Sequence, residues 1–207
     1  MPTSRTYGDA CGIARALDVV GERWALLVVR ELLLGPQRFS DLRRALPGAS
    51  SNMLTDRLRE LASRDVVRQR RLPPPTASVV YELAEVGREL EPIVLALGAW
   101  GLRFPMPAAP AQLSATSVLL FLRESRRAVA PGTYRFELDD RVWTIASRAG
   151  AVTVSPGEPM RAEASLRTDP ATLNALLSGT SSLADALATG EAIVSGDEAS
   201  LRRLLEC

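Results

Sequence analysis

The apolar positions of the first hundred residues recur mostly at helical spacing. Ile13 to Val20 predicts a short amphipathic helix ended by Gly21. Trp24 to Leu34 is apolar around most of its circumference, so it reads as a helix buried on more than one side and stopped by Gly35-Pro36. Phe39, Leu42 and Leu46 share one helical face, with Ser40 and Asp41 as start signals and Pro47-Gly48 as the following turn. Ser50 or Ser51 then caps a helix to about Arg64, whose Leu54, Leu58 and Leu61 form the buried stripe. The period switches to two over Val66 to Leu72, where apolar and basic residues alternate. Pro73, Pro74 and Pro75 make a stiff tip, and Val79 to Leu83 returns as the second strand of a hairpin. A helix from about Glu85 to Gly101 closes the segment. Its Val86, Leu90, Ile93, Leu97 and Trp100 step by 4, 3, 4, 3, a seam suited to a partner helix, and Pro92 predicts a kink within it.

Three helices, a turn, a fourth helix position and a hairpin make a winged helix-turn-helix. Phe104 to Pro110 reads FPMPAAP, which no helix tolerates, so residues 104–112 are expected to be a linker between a domain at 1–103 and another at 113–207. Beyond it the pattern becomes mixed: a helix over Ala115 to Arg127, strand-like runs at Thr133–Leu138, Val142–Ser147, Ala151–Ser155 and Ala162–Arg167, helices at Pro170–Leu177 and Leu183–Ala188, a strand at Ala192–Ser195 and a last helix from Glu198 to Glu206. Asp139-Asp140-Arg141 and Ala149-Gly150 link successive strands as hairpins, so the second domain is expected to be antiparallel α+β.

Charge sharpens this reading. The 207-residue chain has a net charge of +1, 46% hydrophobic residues, no His and no Lys. Residues 1–104 hold 15 Arg against 12 acids and residues 105–207 hold 10 against 12, so the first part is +3 and the second −2. Arg38 to Arg71 alone is +5, with nine Arg and four acids. Guanidinium forks match phosphate bidentately. Without His, the chain lacks the commonest general base and metal ligand, and its two cysteines, Cys11 and Cys207, do not make a zinc site. No enzyme, metal or cofactor is expected. No apolar run reaches the ~20 residues of a membrane helix, and no secretory signal is visible at Met1 to Asp9, so a cytoplasmic location is expected.

If Leu54, Leu58 and Leu61 face the core, Ser51, Asn52, Thr55, Asp56 and Arg59 face outward, together with Ser50 at the helix start. Asn can make paired hydrogen bonds to adenine and Arg to guanine. Arg38, Arg43, Arg68, Arg70, Arg71 and Thr76 would hold the backbone of double-stranded DNA and fix the register.

Cys11, the run GERWALLVVRELLLGPQRFSDLRRALPGASSNMLTDRLRELASRDVV and the run VVYELAEVGREL closely resemble HxlR-type (MarR-like) winged-helix regulators. The resemblance spans roughly Cys11 to Gly101 and implies a homodimer that binds an inverted-repeat operator, read here as a repressor. Three departures stand out. The Asp-Gly that tends to precede the wing is replaced by Arg64-Asp65-Val66, the usual Thr beginning the last helix is Ala84, and Cys11 is followed by Gly12 rather than Pro. In some relatives the equivalent cysteine senses oxidants or electrophiles. Cys11 is thus either a redox sensor, with Arg15 one turn along, or a small hydrophobe at a dimer seam.

Residues Leu113 to Cys207 resemble the sterol-carrier-protein-2 fold through Tyr134–Leu138, Val142-Trp143-Thr144, Ala164–Asp169, Leu176–Gly179 and Gly190–Asp197. That resemblance implies an apolar tunnel, with Leu119, Phe121, Leu122, Phe136, Trp143, Leu176 and Leu187 as lining candidates for a lipophilic effector. The same residues could simply fill a core, leaving the domain a dimerising or stabilising module. A third alternative makes the chain a lipid-carrier-like binding protein.

Overall fold

The computed structural model describes residues 6–73, 78–105, 112–124 and 131–205. The chain divides into two compact units, Met1–Met106 and Pro107–Cys207, a division that falls within the Pro-rich stretch.

The N-terminal unit is built from α1 (Gly12–Val20), α2 (Ala25–Leu32), α3 (Phe39–Ala45), α4 (Ser51–Ser63), the hairpin β1 (Val67–Arg71) and β2 (Val79–Leu83), then α5 (Glu85–Arg88) and α6 (Glu91–Gly101). Its core joins Val28, Val29 and Leu32 of α2, Leu42 of α3, and Leu54, Leu58 and Leu61 of α4 with Val66, Val67 and Leu83 of the wing. Burying a Leu of this kind contributes on the order of 2 kcal/mol.

Trp24 does not join the helix expected to begin there. It takes a left-handed backbone, φ 77°, as the residue before α2. Its ring reaches over to the turn before α4, where a Cβ on Gly48 would lie 2.7 Å from the indole Cη2. The Pro47-Gly48 turn thus needs glycine for this close approach rather than for a left-handed backbone.

The expected helix from Glu85 to Gly101 is not one kinked rod. It is split into α5 and α6, with Pro92 in the first turn of α6. The pyrrolidine ring lacks an N–H that a helix start does not need, so proline begins a helix more readily than it bends one. Gly87 of α5 packs against the wing so closely that a Cβ would lie 2.0 Å from the Val66 carbonyl oxygen.

The turn at Arg64-Asp65-Val66 forms without glycine. Asp65 takes φ 55°, its N–H bonds to the Ala62 carbonyl at 3.2 Å, and the Val66 N–H reaches back to Leu61 at 2.9 Å. These two bonds are those of a Schellman ending.

The C-terminal unit contains α7 (Ala115–Glu124), β3 (Gly132–Leu138), β4 (Arg141–Arg148), β5 (Ala151–Pro156), β6 (Ala164–Thr168), α8 (Pro170–Ser178), α9 (Leu183–Thr189), β7 (Ala192–Gly196) and α10 (Glu198–Leu205). Its strands form one sheet in the order β5-β4-β3-β6-β7. The unit is α+β, but the sheet is not wholly antiparallel: β6 pairs parallel to β3, with Phe136 opposite Leu166. The chain leaves the edge strand β5, crosses to the far side of β3 and enters in the same direction. Sequential hairpins carry local turn signals, whereas a crossover carries none, which is why the sequence suggested only antiparallel pairing. The two hairpins do form as expected. Asp139 and Asp140 both take positive φ, 49° and 62°, and Ala149-Gly150 take 51° and 77°, the conformations of a type I′ turn.

Candidate nucleic-acid interface

The interface starts from the way α4 is seated. Ser50 Oγ accepts a hydrogen bond from the Met53 N–H at 3.2 Å, so this hydroxyl is the helix cap. Leu54, Leu58 and Leu61 lie in the core. That leaves Ser51, Asn52, Met53, Thr55, Asp56 and Arg59 exposed along the opposite face. Thr55 donates its hydroxyl proton to the Ser51 carbonyl oxygen at 2.8 Å, and Arg59 meets Asp56 at 3.3 Å. Asn52 and Ser51, near the N-terminal end, are the polar side chains best placed to meet a base edge. Met53 was not singled out from the sequence. It is 42% exposed, an apolar contact of the kind that suits a thymine methyl group. Its signal was available: Met53 falls off the Leu54–Leu58–Leu61 stripe.

Around this helix stand the arginines. Arg38 lies just before α3, where its backbone N–H bonds to the Asp41 carboxylate at 3.2 Å, and Arg43 and Arg44 are exposed in the last turn of α3. Arg44 was missed by the sequence reading. Arg57 is mostly covered and faces Glu60 and Glu22, so it braces α4 rather than facing outward.

The wing is a hairpin in which Arg68 faces Glu82 and Arg70 faces Val80 across the ladder. An isolated β-bridge ties it to the segment before α3, since Gln37 and Tyr81 exchange backbone hydrogen bonds of 2.9 and 2.7 Å. Strand alternation puts Arg71 on the opposite face from Arg68 and Arg70. The three therefore do not form the single basic set expected from the sequence. Arg68 Nε donates to Glu82 Oε1 at 2.8 Å and Arg70 Nε to Oε2 at 2.9 Å. Burial pushes the Glu82 carboxyl up, but hydrogen bonds from Arg70 and Arg68 outweigh it and hold it below its usual range. Glu82 was also missed, although opposite charges directly across a hairpin can be read from its register. Thr76 lies outside the described residues.

Cys11 is exposed at the N-terminal end of α1. Backbone N–H groups of Ile13 and then Ala14 stabilise its thiolate and hold the thiol below the ordinary value, against a slight opposing effect of desolvation. Its own N–H bonds to Asp9 at 2.8 Å.

The residues suggested for an apolar pocket are distributed differently from a tunnel lining. Leu119, Leu122, Phe136, Trp143 and Leu176 are buried in the core of the C-terminal unit, Leu187 is half-buried, and Phe121 is exposed. Phe121 follows two buried positions on α7 and turns away from them, a consequence of helical rotation that a run of apolar residues conceals. An open recess of about 510 Å³ lies between the end of α8 and the start of α9, and of the suggested residues Leu176 lines it. It is lined by Leu176, Leu177, Leu205 and the hydroxyl-rich stretch Ser178 to Ser182, with Asp185.

An exposed helix after a tight turn, seated on a trihelical core and flanked by an Arg-rich hairpin, defines a winged helix-turn-helix DNA-binding protein. Comparison with known proteins gives the family. The model of the HxlR-like helix-turn-helix family matches residues 19–109. The HTH-type transcriptional regulator YvaP of Bacillus subtilis (strain 168) is 35% identical over 94 residues, covering 45% of this chain and 87% of that protein. The regulator YodB of the same organism is 34% identical over 92 residues, covering 44% and 82%. Among solved structures, the redox regulator HypR in its oxidized form is 35% identical, covering 47% of this chain and all of that one, with a TM-score of 0.44. The chain belongs to the HxlR-like helix-turn-helix family of DNA-binding transcription regulators. Among the described residues no helix is long and apolar enough to cross a membrane.

Proposed function

We propose that the chain is a homodimeric repressor that reads a two-fold operator with α4 and steadies itself on the DNA backbone with the wing. The observation that supports this most is the division of α4: three leucines locked in the core, and a polar face carrying Asn52, Thr55 and Arg59 left to solvent. In this reading Arg38, Arg43 and Arg71 contact phosphates. The dimer is formed by exposed apolar residues at the two ends of the N-terminal unit. Ile13 and Leu17 on α1, and Ile93, Leu97 and Trp100 on α6, are all at least 40% exposed. Trp100 packs edge-on against Phe104 at 4.8 Å, which pre-orders part of that surface. Isolated exposed apolar residues are ordinary, but a helix with no buried residue and seven apolar or aromatic ones is better explained by a partner.

Selection of bound sequences from random duplex DNA tests the reading. It expects half-sites about 10 base pairs apart related by a two-fold axis. A pool that stays random, or that converges on one asymmetric site bound by a monomer, overturns it.

For residues 113–207 the proposal is an effector-sensing, sterol-carrier-like domain, joined through the stretch 104–112. The α8–α9 recess supports a ligand with an apolar body and a hydroxyl-binding end. Coupling of such a ligand to DNA affinity is typically about 1–3 kcal/mol. A panel of amphipathic lipids in a thermal-shift assay tests it, and no shift from any of them removes the effector.

A second reading makes Cys11 the sensor. It is favoured by the exposure of the thiol and by the N–H groups of Ile13 and Ala14 that stabilise its anion. Operator binding under diamide or a quinone, in wild type and in Cys11→Ser, separates it from the first. An identical response of both proteins ends it.

A further inference from the structure

The wing carries an anion of its own. Glu82 is only 8% exposed, and each of its carboxylate oxygens takes one arginine Nε–H, from Arg68 and from Arg70. The two guanidinium groups nevertheless remain open to solvent, with side chains 60% and 45% exposed. Both bonds use Nε, so the terminal Nη groups stay free to point outward. Glu82 sits on β2 directly opposite Arg68, so the carboxylate is held to the pair by the hairpin register and by both bonds.

We propose that Glu82 is a positioning residue and built-in phosphate surrogate that sets how strongly the wing binds DNA irrespective of sequence. The inference rests on the DNA-binding reading above. An arginine adds to sequence-independent affinity by releasing the counterions of a phosphate. Two arginines sharing one fixed carboxylate carry a net charge of one, so together they release about one counterion fewer than two free arginines would. What remains is geometry: two forks held side by side, able to seat a backbone of the right shape. Glu82 thereby lowers affinity for bulk DNA while keeping the Arg pair ordered for a fitted groove. Sequence preference then rests on α4, whose Asn52 and Ser51 faces are not so restrained.

The obligatory ionisation of Glu82 follows from the same contacts. The hydrogen bonds from Arg70 and Arg68 hold the carboxyl below its usual range, so it is charged at neutral pH.

Glu82→Gln removes the charge and keeps the size. The probe is a 24-base-pair duplex of randomised sequence, labelled for fluorescence anisotropy, titrated with the full-length chain across a salt series. The expected result is about a 5- to 10-fold rise in affinity at low salt and a plot of log K against log salt steeper by about 0.9, one phosphate equivalent. The double variant Arg68→Gln/Glu82→Gln restores the net charge of the wing, and its slope is expected to return to that of wild type. Glu82→Asp keeps the charge and is expected to leave the slope unchanged.

An unchanged slope in Glu82→Gln, or weaker binding with a flatter slope, overturns the inference while the DNA-binding reading stands. Wild-type protein with no salt-dependent affinity for the duplex overturns that reading first. Should Glu82→Gln lose its cooperative thermal transition, the comparison of Arg68→Gln with wild type decides. The surrogate account expects nearly full loss of one phosphate equivalent and weaker binding, because the remaining Arg70 is then neutralised by Glu82. A slope unchanged by Arg68→Gln overturns it.

Discussion

Replacing Gly48 by Ala is a one-carbon test of how the recognition helix is set on the core. The added Cβ would lie 2.7 Å from Cη2 and 3.3 Å from Cζ2 of Trp24. Ordinary carbon contacts are about 3.5–4.0 Å, so the ring or the turn must move by roughly 1 Å. The indole has little freedom to do so. It hangs from a residue already in a left-handed backbone, packs against the core of the N-terminal unit and lies under the Arg23 guanidinium, 5.2 Å from its centroid. Overpacking of this kind costs about 1–3 kcal/mol. Against it stands the gain from restricting the unfolded chain, about 0.4–1 kcal/mol for Gly to Ala. The net expectation is a loss of about 0.5–2 kcal/mol, read as a lowered urea midpoint of the helical N-terminal transition by circular dichroism. The decisive step is the cycle with Trp24→Phe, whose smaller ring removes the offending edge. In that background Gly48→Ala should be neutral or stabilising, giving a coupling of at least about 1 kcal/mol. Additive effects of the two substitutions would refute the contact as the reason for glycine.

Three further outcomes follow from named contacts. Ala149 holds φ 51° in a two-residue turn where Asn is favoured, so Ala149→Asn should stabilise the C-terminal unit by about 0.5–1 kcal/mol, measured as a rise in its melting temperature. Glu82 has a depressed folded-state pKa, so its contribution is present above the ordinary carboxylate range near 4.5 and is lost as pH falls below it; the protection of β1 and β2 amides relative to their intrinsic exchange rates should fall through that window in wild type and much less in Glu82→Gln. Cys11 should alkylate with iodoacetamide along a pH profile whose midpoint lies below that of an ordinary thiol near 8.5, and unfolding in urea should return it to that value.

Most of the N-terminal fold was legible because amphipathic stripes of period 3.6 and a strict two-residue alternation each have one reading. Leu54, Leu58 and Leu61 are an example, and all three are buried. The errors came where a single residue had two physical uses. Pro92 could kink a helix or begin one, and it begins α6. The departure at Arg64-Asp65-Val66 costs no turn, because a residue closing a Schellman ending needs only to tolerate left-handed backbone, which Asp65 does. The parallel pairing of β3 and β6 was invisible because crossovers leave no mark within a strand.

Site residues were legible as a face rather than as individual contacts. The outward side of α4 followed from its buried side, but whether a polar group is free was not encoded in spacing. Ser50 is consumed as a cap, and Thr55 bonds to its own helix. The wing arginines looked like one patch in the sequence because composition ignores which side of a strand each occupies. The restraint of Arg68 and Arg70 by Glu82 depends on a residue fourteen and twelve positions away. In the C-terminal unit, tunnel and core draw on the same side chains, and there the apolar residues suggested as a lining are mostly core.

The central claim is that the exposed face of α4 lies in the major groove. Chemical interference on a selected operator tests it most directly, by methylating guanine N7 on the major-groove edge and adenine N3 on the minor-groove edge. The account predicts two clusters of interfering guanines about one helical turn apart, with Asn52→Ala and Arg59→Ala relaxing base preference inside those clusters and nowhere else. Interference confined to adenine N3, or clusters untouched by changes on α4, would contradict it.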